Sequence, residues 1–375
     1  MKTRRGVGIV VLGCLAASAM AEAPGKVLGT WMPVNPNSGQ NFSGGVAVTM
    51  SNLGTAGFEF ADAWGPHAVH IVNGTMTNVL RNRRSGAVDD HGNYVTSGGQ
   101  VNGVQSIYTN SLLHKPDGTV TPVAGDPSIY KYVYVRGMNN AGVMVGHYSA
   151  IDQFGDLFKG YAFYRRGGQT WVTNPVTSSS FFAVNDHGRA LFGGEGFGSE
   201  AGLGVWSPES GFRRINGFGG TATDLTRLDF NNKDEIAYMQ PGGGGKYYAR
   251  FLTPDSQRDI LFPAGYNPFI GGFNNHSHLS AYLWGQDPDG VFRYHWMVHR
   301  DGQWIDFTDR VLSQLPAGWK LDNLGDIDDY GRTYGIAKTP EGYSAIVHIN
   351  TVPEPATLGA LALGFVALRR KRKVA

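Results

Sequence analysis

Two histidines one residue apart, His276 and His278, follow Asn274 and Asn275 and have the spacing to present two imidazoles to a metal from one strand face. Two ligands do not make a zinc site, and a third would have to come from His295 or His299. Polar turn residues are the simpler reading of the pair. Two acidic clusters, Asp287-Pro288-Asp289-Gly290 and Asp326-Ile327-Asp328-Asp329, offer oxygen ligands of the kind Ca²⁺ takes, but neither is closed by the Glu that an EF-hand loop needs. The first also has the composition of a β-turn. Two glycine-rich stretches suggest phosphate loops and then fail the test. Gly194-Glu195-Gly196-Phe197-Gly198 is followed by no helical pattern. Gly242-Gly243-Gly244-Gly245-Lys246 is followed by Tyr247 where a nucleotide loop requires Ser or Thr. Neither a Gly-x-Ser-x-Gly elbow nor a His-Glu-x-x-His pair occurs, so no catalytic residue, metal ligand or cofactor is assigned, with Ca²⁺ kept as a minor possibility.

Aromatic side chains are the remaining chemistry. Eight Trp and 17 Tyr exceed what polar turns require, and an aromatic face can stack on a sugar ring as well as on another aromatic. Trp171, Trp206, Trp296 and Trp304 sit at what read as equivalent strand positions and are expected to pack in the core. Trp64, in Ala61-Asp62-Ala63-Trp64-Gly65-Pro66, and Trp319, beside Pro316 and Gly318, fall off that register. These two are the candidates for a surface contact with a ligand.

The elements that must carry these residues are short, alternating segments such as Val143-Met144-Val145-Gly146, separated by Gly, Asn, Asp and Pro. That pattern is all-β. Asn139-Asn140-Ala141-Gly142 recurs as Asp89-Asp90-His91-Gly92, Asn185-Asp186-His187-Gly188 and Asp328-Asp329-Tyr330-Gly331, and more loosely from Ser51, Asn231 and Asn274. The seven copies are spaced by 38, 50, 46, 46, 43 and 54 residues. Asn and Asp bond their own main chain in such turns, and the Gly takes positive φ without steric cost. His91 and His187 share one position of this repeat, which points to a turn role. Each repeat has room for about four strands, one propeller blade. The last repeat lacks an outer strand, while Gly29 to Pro36 resembles Gln169 to Pro175, an outer strand. The expectation is a seven-bladed β-propeller over 22–351, closed by its N-terminal strand, which removes sheet edges that would otherwise invite aggregation.

Both ends of the chain read as addresses. Residues 1–21 combine Lys2, Arg4 and Arg5 with an apolar run and Ala19-Met20-Ala21, a secretory signal with cleavage at Ala19 and Ala21. The only cysteine, Cys14, leaves with it, so the mature chain has no disulfide and no thiolate site. Of 32 Lys and Arg, three lie in this segment and five in the tail, leaving 24 against 30 acidic residues. Counted with Glu354, the processed body is about −6, and no basic stripe remains to hold nucleic acid. In 352–375, Val352-Pro353-Glu354-Pro355 opens an apolar segment of 14 residues, 355–368, that ends in Arg369-Arg370-Lys371-Arg372-Lys373. The expectation is a single short transmembrane helix with Arg369 and Arg370 snorkelling at its end.

The tail resembles the PEP-CTERM sorting signal of Gram-negative bacteria, with its Pro-Glu-Pro motif, short apolar helix and basic terminus in order. The resemblance implies that exosortase, a membrane protease-transpeptidase, recognises Pro353, Glu354 and Pro355 and removes the tail after signal peptidase has acted. It also implies an inner-membrane intermediate that ends at the cell surface or outside the cell. Met138 to Gly146 with Tyr161-Ala162-Phe163 further resembles the HAF family of bacterial extracellular repeats, which implies architecture and export only. Two functions follow as expectations. One is a non-enzymatic surface or matrix protein, associated with biofilm or exopolysaccharide, that binds polysaccharide or envelope proteins. The alternative is a glycan hydrolase or lyase using Asp and Glu from central loops.

Overall fold

A computed structural model describes residues 25–351 apart from 52, 64, 82, 99–110, 124–131, 152–156, 173–179, 195–201 and 219–228. The signal segment with Ala19 and Ala21, Trp64, and the tail with Pro353, Glu354, Pro355, Arg369, Arg370 and the expected transmembrane helix lie outside the described residues. Among the described residues, no helix is long and apolar enough to cross a membrane.

The chain folds into seven four-stranded antiparallel sheets, the blades of a β-propeller. Blades 1 to 6 span 45–76, 83–122, 132–172, 180–214, 229–261 and 267–306. Blade 7 is built from Lys320–Ile327, Arg332–Lys338 and Ser344–Asn350, with Lys26–Trp31 as its outer strand. The first strand of each blade lies innermost and contacts the first strands of its neighbours.

Closure comes from Lys26–Trp31 pairing antiparallel with Ser344–Asn350, from Lys26 opposite Asn350 to Trp31 opposite Ile346. This strand begins and ends earlier than the Gly29 to Pro36 expected, because Pro33 and Pro36 have no N–H to continue a ladder. Side chains reinforce the seam. Gln314 Oε1 accepts from Val27 N at 3.0 Å while its Nε2 donates to Gly25 O at 2.9 Å. Arg332 Nη2 reaches Leu53 O at 2.9 Å, and Asn323 Nδ2 reaches Gly45 O at 3.0 Å.

The core lies between blades. Tyr164 from blade 3 meets Phe181 and Trp206 from blade 4 edge-on, at centroid distances of 6.4 and 5.2 Å. Phe58 of blade 1 meets Tyr334 of blade 7 at 5.6 Å. Tyr164, Phe181, Phe58 and Tyr334 are buried, and each contributes roughly 1.5–3 kcal/mol of transfer free energy. The stabilising surface is thus shared, and a blade cannot bury its faces alone.

Among the described residues, two short helical pieces depart from the all-β expectation, a single 3-10 turn at Gly243–Gly245 and an α-helix. The α-helix, Thr308–Leu312, joins blades 6 and 7. Asp306 Oδ1 accepts from Thr308 N at 2.9 Å, Thr308 Oγ1 accepts from Trp296 N at 2.8 Å, and Phe307 and Val311 are buried beneath it. With five residues it is too short to leave a periodic signal in the sequence.

Candidate functional site

The repeated turn solves two problems with one side chain. In blade 3, Asn139 Oδ1 accepts from Ala141 N at 3.0 Å and Val143 N at 2.9 Å, which folds the turn. Its Nδ2 donates to Asn185 O of the next blade at 2.8 Å. The relay continues from Asn185 to Asn231 O at 3.1 Å, from Asn231 to Asn274 O at 3.2 Å, and from Asn274 to Asp328 O at 2.8 Å. Asp328 has no amide to donate. Its Oδ2 instead holds Arg332 Nε at 2.6 Å, and that guanidinium spans the seam to Leu53.

The second position forms a parallel belt. Asn140 Nδ2 donates to Asp90 Oδ2 at 2.6 Å and Asp186 Oδ1 at 3.0 Å, Asn232 Nδ2 to Asp186 Oδ2 at 3.0 Å, and Asn275 Nδ2 to Asp329 Oδ2 at 2.8 Å. The fourth position has positive φ in all seven copies, at Gly54, Gly92, Gly142, Gly188, Asp234, Ser277 and Gly331. Asp234 and Ser277 tolerate it because their side chains are used: Asp234 Oδ1 accepts from Asn185 Nδ2 at 2.9 Å, and Ser277 Oγ donates to Glu235 Oε2 at 2.6 Å.

These turns rim an axial channel of about 140 Å³. At about 30 Å³ per water it has room for a few waters. The rim carboxylates Asp90, Asp186 and Asp329 already accept hydrogen bonds from amides.

The acidic clusters are likewise occupied. Asp328 Oδ1 accepts from Tyr330 N and Arg332 N, and Asp326 Oδ1 from Ile327 N. Asp287 and Asp289 both bond Arg293, around a turn in which Gly290 N donates to Asp287 O at 2.8 Å. Among the described residues, no three His, Cys, Asp or Glu side chains are grouped as metal ligands. His276 N and His278 N both donate to Asn274 Oδ1, the turn role expected. His299 stands across the ladder from Leu279, next to His278, and packs against Trp304 at 5.1 Å, while His295 lies four residues further back along that strand.

The tryptophans need one correction. Trp206 and Trp296 lie on third strands and Trp171 and Trp304 on fourth strands, so the four are not equivalent. Trp206 stands opposite Ala190 and Trp296 opposite Tyr282, because strand lengths after the turn differ between blades. Packing is nevertheless their role: Trp296 is fully buried and the other three lie against buried clusters.

Trp319, the other tryptophan off the strand register, is among the described residues. It is half-buried against the blade 7 cluster and lines a cleft of about 860 Å³ between blades 6 and 7. Phe292 and Tyr294 of blade 6, Leu312 of the short helix, and Asp322 and Lys338 of blade 7 share this lining. Phe292 is 67% exposed and Tyr294 40%, and Trp284, 37% exposed, continues the strip at 6.3 Å from Phe292. Sequence reasoning passed over Phe292 and Tyr294. Alternation could not have found them, since it puts Phe292 and Tyr294 on the strand face of Trp296, which is fully buried.

His295, also in the cleft, is clamped by two carboxylates, with Nε2 at 2.9 Å from Asp287 Oδ1 and Nδ1 at 2.9 Å from Asp306 Oδ2. Burial alone would lower its pKa, but the hydrogen bonds to Asp287 and Asp306 outweigh that and the net direction is up. Asp287 is pulled down to about 2 by Arg293, the Tyr266 hydroxyl and His295. Asp322 moves the other way, raised by burial against the pull of Lys338 3.8 Å away. The cleft therefore combines an aromatic strip with carboxylate acceptors and with three cations, Arg293, His295 and Lys338, that are paired to them.

Comparison with known proteins adds two findings. Residues 351–373 match the PEP-CTERM protein-sorting motif, so the chain carries the tail of an exosortase substrate. Among solved structures, that of prolyl endopeptidases is similar with a TM-score of 0.51 at 12% identity, covering 94% of this chain and 55% of that one. TolB from Acinetobacter baumannii aligns over 94% of this chain and 71% of its own at 11% identity, with a TM-score of 0.40. At these identities the likeness is one of fold, and this chain spans little more than half of the endopeptidase chain. No curated protein matches the chain by sequence.

Proposed function

We propose that the protein is an exported, non-enzymatic binding module of the bacterial cell surface or extracellular matrix, which holds a polysaccharide in the cleft between blades 6 and 7. The observation that carries this reading is the strip of exposed aromatic rings along a cleft of about 860 Å³, where monomeric proteins normally bury such rings. Aromatic faces pack on the C–H faces of sugars, and carboxylates accept from ring hydroxyls. The sorting tail supports an envelope destination. Signal peptidase acting at Ala19 to Ala21 and exosortase at Pro353-Glu354-Pro355 are the processing partners that this reading requires.

The test is affinity electrophoresis of the mature protein in gels carrying polysaccharide from its producing cells. Retardation that weakens in Trp319→Ala and Phe292→Ala supports the module. Unretarded migration of the native protein refutes it. A second reading, hydrolysis of that glycan, draws on Asp322, whose carboxyl is raised by burial inside the same cleft. Release of new reducing ends, abolished by Asp322→Asn, would favour it.

A further inference from the structure

We propose that the cleft between blades 6 and 7 selects an uncharged polysaccharide, a chain of neutral hexoses, over one bearing uronate or sulfate groups. This rests on the binding reading above and concerns which glycan the site accepts.

A polyanion is normally held by guanidinium and ammonium groups free to meet its carboxylates or sulfates. In this cleft three of the four, Arg293, His295 and Lys338, are committed, while Lys320 stands exposed at its edge. Arg293 Nη1 bonds Asp287 Oδ2 at 2.6 Å and Asp289 Oδ1 at 3.0 Å, and its Nη2 bonds Asp289 Oδ2 at 2.7 Å. Both ring nitrogens of His295 face carboxylates. Lys338 lies 3.8 Å from Asp322, donates to Ser344 Oγ at 2.8 Å and contacts Ser43 O. Apart from Lys320, every cation here would have to give up an aspartate before it could bond an anionic ligand.

The anions point the same way. Asp287, Asp306, Asp309 and Asp322 all line the cleft, and with Arg293, Lys320, Lys338 and a protonated His295 they leave no net positive charge. The processed body, at about −6, repels polyanions at longer range. Asp309 and Asp322 supply acceptors for which hydroxyl groups are the natural donors. Phe292, Tyr294 and Trp319 supply faces whose attraction to a sugar ring does not depend on ligand charge.

The mature protein is run in gels containing dextran, laminarin, galactomannan, alginate or polygalacturonate, at low and high salt. Retardation by at least one neutral polymer, unchanged by salt and absent with the two uronates, is the expected result. Phe292→Ala and Trp319→Ala should each weaken that retardation about tenfold, the effect of losing one well-packed aromatic contact. Phe292 is exposed, so its variant keeps the fold even if Trp319→Ala, which touches the core, does not. Equal or stronger retardation by the uronates, lost at high salt, overturns the charge selection while leaving the binding module standing. Retardation by none of the polymers, the producing cells' own included, overturns both. Neutral-polymer binding untouched in both variants removes the site from this cleft.

Discussion

Replacing Asn185 by alanine tests whether one repeated side chain joins the blades. Asn185 is buried, its Oδ1 accepts from Arg189 N at 3.0 Å, and its Nδ2 donates to Asn231 O at 3.1 Å and Asp234 Oδ1 at 2.9 Å. Each such bond is worth about 1 kcal/mol net, and a stranded buried partner costs about that or more, so Asn185→Ala should destabilise by roughly 3 kcal/mol. With an m-value near 3 kcal/mol/M the urea midpoint falls by about 1 M, read by tyrosine and tryptophan fluorescence. Asn185→Asp separates the two jobs of the side chain. It keeps the acceptor for Arg189 N but puts an oxygen where Nδ2 faced a carbonyl and a carboxylate. The new carboxyl is then pushed above its unfolded value near 3.9, so this variant's deficit relative to the native protein should shrink as pH falls through its folded pKa. Alanine at 185 shows no such recovery. A midpoint shift below about 0.2 M for Asn185→Ala, or identical pH profiles for the two variants, would refute the relay.

Acid should weaken the protein through histidines held neutral. Burial lowers His70 to about 3, and His147 and His348 to about 4, from an ordinary 6.5. Between pH 6.5 and 4 the unfolded chain binds protons that the folded chain refuses, so stability falls as pH drops, by up to about 4 kcal/mol per unit for the three together. Urea midpoints at pH 7 and pH 5 check this, and equal midpoints contradict it. His295 has the opposite sign, since its raised pKa makes its clamp fully effective below 6.5 and lost as pH rises through the folded value. Asp306→Asn keeps an acceptor for Thr308 N and removes one of the two anions facing the ring. An NMR titration should therefore place His295 lower in the variant, and an unmoved midpoint would mean the clamp is not electrostatic.

Much of the fold was legible because a propeller writes itself as a period. The turn beginning at Asn139 occurs seven times, and even its degenerate copies keep the positive-φ fourth residue at Asp234 and Ser277. The closing strand was visible as a likeness between two outer-strand segments. The amide relay was not legible, since Asn139 and Asn185 are 46 residues apart and become neighbours only once the blades are placed in a ring. The cleft was half legible. Trp319 stood out by falling off the strand register, whereas Phe292 and Tyr294 looked like ordinary strand aromatics. What exposes them is the gap between blades 6 and 7, where the unforeseen helix Thr308–Leu312 sits. The His295 clamp draws Asp287 and Asp306 from opposite sides in sequence, a meeting that pairing within blade 6 creates.

The central claim is that this propeller is cargo, trimmed at both ends on its way to the cell surface. Intact mass spectrometry of the mature protein, taken from the envelope or medium of its own cells, tests it most directly. The account predicts a species lacking residues 1–21 and the apolar, basic tail beyond Pro353-Glu354-Pro355, with the propeller whole. A mature protein at the full 40.5 kDa, or one that keeps Arg369 to Lys373, would contradict it.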